Sequence, residues 1–183
     1  MDVVKLADLL LSPDEKREMQ SSLELLEQSN YSAFYEKNQN IIQNILFLET
    51  LDEFLDFSKD NSLDVECFCA AFLCVKGYGV QIGGYEDDLT DTLTDFFKAK
   101  EIGYSEISEI ISKEKIYTDC SDYDNFKKSL VAINQILDTH GVRLTVLEDF
   151  VYCDCEYTVL IIEKALASEV VSSWESDNFE IFL

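Results

Sequence analysis

The sequence has few of the residues on which most hydrolytic active sites and nucleotide-binding loops depend. Its 183 residues include one histidine, one proline and six glycines. The histidine, His140, precedes Gly141 at the expected end of a helix. A favourable interaction with the helix C-terminus explains a histidine there without a catalytic role. There is no nucleophile elbow and no phosphate-binding glycine pattern. We therefore expect no catalytic residue of these kinds and no cofactor.

Long hydrophobic runs are also missing. No stretch approaches the roughly 20 apolar residues that a membrane span requires, and we identify no secretory signal. The first apolar run is interrupted by Lys5 and Asp8. Six cysteines in a chain without an export signal are typical of free thiols in a reducing compartment. We expect a cytoplasmic protein that does not associate with membranes.

Basic residues are scarce, and this shortage constrains the choice of partner. The chain has 14 Lys and Arg against 37 Asp and Glu, which gives a formal net charge of -23. Such a surface repels nucleic acid and attracts basic proteins at long range. Because 47% of the residues are hydrophobic and 12% are aromatic, the acids coat a folded body with a sizeable core. We expect no nucleic-acid partner.

Capping patterns predict a chain rich in helices. Ser12 and Glu15 have capping-box spacing around a first-turn proline, which predicts a helix over about 13–28. Asn61 or Ser62 is expected to cap a later helix, which a glycine then ends. Together with hydrophobic repeats of helical spacing, these signals predict seven or eight helices.

Segments rich in β-branched residues predict a small sheet. Strands are expected at about 79–83, 142–148 and 156–162, and residues 179–183 could add an edge strand or dock as an apolar tail. We therefore predict an α+β fold in a helix-rich single domain around a small, mainly antiparallel three-stranded sheet. The domain spans residues 1–183, with a helical part over 1–76 and an α+β part over 77–183.

Patterns that bind metals are weak in this sequence. Cys67 and Cys69 are two residues apart, so they lie on different faces of the expected helix and are better explained as small apolar residues. Cys153 and Cys155 would share one face of a strand and are the only plausible soft-metal or redox pair. The densest acidic clusters lack the spacing of an EF-hand. We expect no metal site.

The acidic residues occur in blocks instead of alternating with bases. Residues 85–97 hold five acids and no Lys or Arg, and no base follows Lys164. Loops between strand and helix and within a hairpin would bring such acids to the ends of elements. We predict a binding face made of eight acids: Glu86, Asp87, Asp88, Asp91, Glu148, Asp149, Asp154 and Glu156.

The charge pattern favours a non-enzymatic function. We expect a binding module, of the inhibitor or immunity type, that covers a basic surface on a partner protein. One alternative is a hydrolase whose carboxylates hold a divalent metal ion, drawn from Asp87, Asp88, Asp91, Asp119, Asp122 and Asp124. Another is a homodimer or larger homo-oligomer in which residues 179–183 dock on a neighbouring copy.

The C-terminal half resembles a known family in its layout. Residues 132–147 read AINQILDTHGVRLTVL, residues 155–162 read CEYTVLII and residues 165–170 read ALASEV. They resemble the bacterial family known as domain of unknown function 6630, in which a helix ends at a glycine and leads into a hairpin with an acidic turn. The sequence departs from that pattern at residues 83–85, where it has Gly-Gly-Tyr. The resemblance implies a fold type and a bacterial source, without a catalytic activity.

Overall fold

A computed structural model describes residues 1–45, 48–60, 64–82, 89–100, 123–149, 157–176 and 179–182. It confirms a helix-rich α+β fold, with eight α-helices and an antiparallel sheet among these residues. The chain divides into two compact units. One comprises residues 2–76 and the other comprises residues 77–183 with Met1. We call them the helical unit and the α+β unit.

The helical unit contains five helices. They are α1 (Val3–Leu10), α2 (Pro13–Glu27), α3 (Tyr31–Ile45), α4 (Leu51–Asp60) and α5 (Val65–Val75). The predicted capping box is confirmed: the Ser12 hydroxyl accepts from the Glu15 backbone N–H, and the Glu15 carboxylate accepts from the Ser12 N–H at 2.9 Å. Thr50 and Glu53 repeat the same exchange at the start of α4. These local contacts fix where each helix begins.

A cluster of phenylalanines forms the core of the helical unit. Phe34 stacks on Phe54 with ring centroids 5.9 Å apart and meets the edge of Phe68 at 5.1 Å. Phe72 continues the cluster on α5 and is fully buried. Burial of each such side chain stabilises the fold by about 1.5–3 kcal/mol. The cluster therefore joins α3, α4 and α5 into one body.

A buried asparagine bends α3. The backbone of Asn38 is non-helical, with φ -113° and ψ 22°. Its side-chain amide donates to the Phe34 carbonyl at 2.9 Å, and its carbonyl oxygen accepts from the Ser22 hydroxyl of α2 at 3.0 Å. Because both side chains are buried and hydrogen-bonded, the kink is stabilised by the contact between α2 and α3.

The α+β unit contains four strands and three helices within its described residues. They are β1 (Gly79–Ile82), α6 (Leu89–Lys100), α7 (Tyr123–Leu137), β2 (Val142–Asp149), β3 (Tyr157–Glu163), α8 (Lys164–Ser172) and β4 (Phe179–Phe182). A short 3₁₀ turn, Asp138–His140, follows α7 directly. The three expected strands are present, and residues 179–182 form the edge strand that the sequence left open.

The sheet has the strand order β1-β3-β2-β4, and every neighbouring pair is antiparallel. β1 pairs with β3 through Gly79 opposite Leu160, and β2 pairs with β3 through Val146 opposite Val159. Consecutive residues Val146 and Leu147 are both fully buried. Since consecutive strand residues point to opposite faces, the centre of the sheet is covered on both sides.

Glycines are required at three positions of the fold. Gly77 and Gly141 have φ of +80° and +75°, so both adopt the left-handed conformation predicted for helix ends. Gly79 has a different reason, since a Cβ there would lie 2.3 Å from the Val159 carbonyl oxygen. Its lack of a side chain allows β1 to approach β3.

Two local predictions need correction. The N-cap of α5 is Asp64, whose carboxylate accepts from the N–H groups of Glu66 and Cys67 at 2.7 and 3.1 Å. The prediction of Asn61 or Ser62 was therefore wrong, because an aspartate closer to the apolar run satisfies the free N–H groups. Residues 3–10 form a helix that was not predicted from the sequence, α1, whose N-cap is Asp2.

Candidate binding surface

The structure places only part of the predicted acidic face. Asp91 lies in α6, while Glu148 and Asp149 end β2. For these three the structure describes the backbone position alone. The other five residues of the predicted face lie outside the described residues: Glu86, Asp87, Asp88, Asp154 and Glu156. The composition of the face therefore stays a prediction.

One additional acidic residue joins the described part of that face. In the antiparallel register between β2 and β4, Glu148 lies opposite Glu180, and Asp149 lies opposite Phe179. Three acidic positions therefore gather at one end of the sheet. Sequence reasoning left Glu180 out because the pairing of β4 with β2 was not known.

The residues proposed for a metal-dependent hydrolase are not brought together in the described structure. Asp87, Asp88, Asp119 and Asp122 lie outside the described residues, and Asp91 and Asp124 are placed by their backbone only. Within the part of the chain that the structure describes, no group of three or more His, Cys, Asp or Glu could hold a metal ion. Cys153 and Cys155 also lie outside it.

The three cysteines of α5 are free thiols, of which Cys69 is buried and Cys67 and Cys74 are half-buried. The pKa of both Cys69 and Cys74 is raised to about 12, mainly by burial, with a smaller contribution at Cys69 from the nearby carboxylates of Glu66 and Asp64. Since the thiolate is the nucleophilic form, these two groups are poor nucleophiles near neutral pH. This agrees with the interpretation of Cys69 as a small apolar core residue.

Asp138 is the centre of a compact ion-pair cluster. Its carboxylate accepts from Arg143 Nε and Nη2 at 2.6 and 2.9 Å and lies 2.9 Å from Lys164 Nζ. The hydrogen bond from Arg143, followed by that from Lys164, lowers the pKa of Asp138 well below its usual range. The cluster ties the end of α7 to β2 and to the start of α8. We call it the Asp138 cluster.

A buried amide reinforces the same connection. Asn134 Oδ1 accepts from the Leu144 N–H at 2.7 Å, and Asn134 Nδ2 donates to the Leu144 carbonyl at 3.1 Å. Both backbone groups of one β2 residue are thus satisfied by one side chain of α7. His140 lies on the exposed turn between α7 and β2, directly before Gly141, as the sequence predicted. The arrangement is structural in character.

A second acidic feature is a cleft in the helical unit, which we call the α3–α4 cleft. It has a volume of about 430 Å³ and is lined by Tyr31, Asp52, Leu55, Asp56 and Ser58. Asp52, Leu55 and Asp56 are spaced i, i+3 and i+4, so they share one face of α4. Tyr31 begins α3, and its ring forms an edge-to-face pair with that of Phe54, with centroids 6.5 Å apart. Among the lining residues that the structure describes, none is Lys, Arg or His.

Sequence reasoning did not identify the α3–α4 cleft. Its aromatic wall and its carboxylates are separated by 21 positions in the sequence, between Tyr31 and Asp52. The only available signal was the spacing of two aspartates four residues apart on one predicted helix, with an apolar residue between them. That spacing indicates a shared face without indicating that an aromatic side chain faces it.

In comparisons with known proteins, the chain matches no protein-family model, no curated protein and no solved structure. The resemblance to domain of unknown function 6630 therefore stays a prediction. Among the described residues, no helix is both long enough and apolar enough to cross a membrane.

Proposed function

We propose that this protein is a non-enzymatic acidic binding module, of the inhibitor or immunity type, that recognises a basic surface on a partner protein in the cytoplasm. The proposal rests on how the few basic residues are used. Nine Lys and Arg side chains are described, and six of them lie in ion pairs. These six contact only five carboxylates, since Arg143 and Lys164 share Asp138.

Many carboxylates consequently face solvent without an ion pair to any of the described basic side chains. Within the described residues, six exposed acids of the helical unit form no ion pair: Glu24, Glu27, Glu36, Glu49, Asp52 and Glu53. A surplus of exposed negative charge speeds the encounter with a basic partner and suppresses binding to acidic ones. This unneutralised surplus is the observation that carries the proposal.

The proposal is tested with two peptides of equal length. One contains several arginines, and the other has citrulline, the neutral isostere of arginine, at the same positions. We expect the protein to bind the arginine peptide, to bind it more weakly as salt rises from about 50 to 500 mM, and not to bind the citrulline peptide. Equal affinity for the two peptides would contradict the proposal. An affinity pull-down at both salt concentrations would then identify the natural partner.

The homo-oligomer alternative requires the C-terminal segment to dock on a neighbouring copy, but the structure shows this segment within its own chain. Residues 179–182 pair with β2 of the same chain, from Val146 to Asp149. We therefore give preference to the binding module. Mass measurement in solution tests this preference, which predicts a mass near 21.0 kDa.

A further inference from the structure

We propose that Asn134 is a positioning residue, which fixes the register in which β4 pairs with β2. The observed register places Glu180 opposite Glu148, so it gathers acidic positions at one end of the sheet. The effect of Asn134 on the register stands on the contacts of the sheet alone. Its consequence for binding rests on the proposed function, because it concerns the placement of acids that would meet a basic partner.

The two edges of β2 are covered in different ways. β3 pairs with β2 over Val142–Glu148, whereas the described residues of β4 pair with it over Val146–Asp149. Both backbone groups of Leu144 are bonded instead to the Asn134 amide of α7, at 2.7 and 3.1 Å. In an antiparallel sheet the backbone groups of alternate residues point to the same side, so Leu144 and Val146 face the same edge. The Asn134 amide therefore stands where a further strand residue would pair.

An asparagine side chain is suited to this position. Its carboxamide offers one acceptor and an NH2 donor, which match the N–H and the carbonyl of one strand residue. Asn134 and Leu144 are both buried, so leaving the two backbone groups of Leu144 unpaired would carry a desolvation cost. Asn134 thus satisfies one residue of the edge and, being a side chain, continues the ladder no further.

A second register of β4 is compatible with the pleat of the sheet. A shift by two residues keeps every side chain on its present face. It would pair Phe182 with Leu144 and Glu180 with Val146, and it would separate Glu180 from Glu148. Like charges directly opposite each other on neighbouring strands are destabilising, so this glutamate pair does not favour the observed register. Asn134 excludes the shifted register, because Leu144 is already bonded.

An NMR experiment on wild type and Asn134→Ala reads the register directly. In the observed register Leu147 lies opposite Ile181, as a pair whose α-protons approach each other closely. The shifted register would bring Ile181 opposite Thr145. We expect wild type to show the nuclear Overhauser contact between Leu147 and Ile181 alone. Asn134→Ala leaves Leu144 unpaired in that register, so we expect a contact between Thr145 and Ile181 to appear beside it.

The matched control is Ile133→Ala, which removes a buried side chain of the same helix and keeps the amide in place. A thermal melt first shows that each variant folds. If Asn134→Ala does not fold, Asn134→Asp replaces it, because aspartate keeps the acceptor for the Leu144 N–H and loses the donor to the carbonyl. An unchanged register in the folded Asn134 variant would overturn the inference. An equal shift in Ile133→Ala would also overturn it, since loss of stability alone would then move β4.

Affinity for the arginine peptide tests the consequence for binding. We expect Asn134→Ala to bind it at least about twofold more weakly than Ile133→Ala does, because the shifted molecules separate their acids. Equal affinity in the two variants, despite a shifted register, would overturn this consequence. If wild type does not bind the peptide but the register shifts as expected, the proposed function fails and the role of Asn134 stands. If wild type binds and the register does not shift, the reverse holds.

Discussion

Asp138 and Asp52 each lie at the end of a helix. Asp138 is at the C-terminus of α7, whereas Asp52 is at the N-terminus of α4. Asp138 follows the C-terminus of α7, where the helix dipole disfavours negative charge, and it is surrounded by Arg143 and Lys164. Asp52 lies in the first turn of α4, where the dipole favours a carboxylate, and it has no ion pair among the described residues. A chain with few bases thus places two of them on one carboxylate at an unfavourable position. Carboxylates at favourable positions remain available to a partner.

The largest effect is expected from the amide that supports the Asp138 cluster. Asn134→Ala leaves the N–H and carbonyl of Leu144 buried without partners, so we expect unfolding free energy to fall by about 2–4 kcal/mol. Val131→Ala is the matched control, because Val131 lies on the same helix and is 50% exposed. Urea denaturation measures both. Similar losses in the two variants would show that Asn134 does not hold α7 to β2.

A smaller effect, dependent on pH, is expected from Asp138→Asn. The pKa of Asp138 is lower in the folded protein than its unfolded value of about 3.9. Its contribution to stability is therefore fully present above about pH 5 and is lost as the pH falls through the folded pKa. We expect the variant to melt earlier than wild type at pH 7, with the difference shrinking at pH 2.5. A difference that is constant with pH would contradict this account.

Arg143→Lys tests whether the geometry or the charge of the Asp138 cluster matters. Lysine keeps the positive charge but cannot form the two parallel hydrogen bonds that Arg143 makes to both carboxylate oxygens. We expect a lower melting temperature than wild type at pH 7, with a smaller decrease than for Asp138→Asn. If Arg143→Lys melts like wild type, charge alone accounts for the cluster.

The smallest effect on stability is expected from Asp52→Asn. The change removes a favourable interaction with the helix dipole and also relieves repulsion from Asp56, so the two contributions nearly cancel. We expect the free energy of unfolding to change by less than about 0.5 kcal/mol. A loss above about 1 kcal/mol in urea denaturation would place Asp52 among the structural carboxylates, together with Asp138.

Much of the fold could be predicted because its signals are local. The hydrogen bonds between Ser12 and Glu15 span three residues, and Gly77 and Gly141 occupy left-handed helix ends. The strands follow from β-branched composition, since burial on both faces favours such residues. Asp64 was not predicted as the N-cap of α5 because Asn61, Ser62 and Asp64, which can all cap a helix, lie within four positions.

The candidate sites could not be predicted in the same way, because they join residues that are distant in sequence. Tyr31 reaches the face of α4 only through the packing of α3 on Phe54. Lys164 reaches Asp138 only because the β2–β3 hairpin returns the chain to the end of α7. Composition revealed the excess of acids. Local spacing pairs Asp2 and Asp14 with a base, whereas Glu18 and Asp138 receive Lys76 and Lys164 through tertiary contacts.

The pairing of β1 with β3 also has a consequence for the order in which the protein forms. Gly79 pairs with Leu160, so 80 residues separate the two partners in the chain. During synthesis, β1 has no β3 partner until residues 157–163 have been translated. The helical unit depends on contacts within residues 2–76, and closure of short loops costs less entropy than closure of long ones. We therefore expect the helices of residues 2–76 to fold first during translation, with the sheet as the slow, late step.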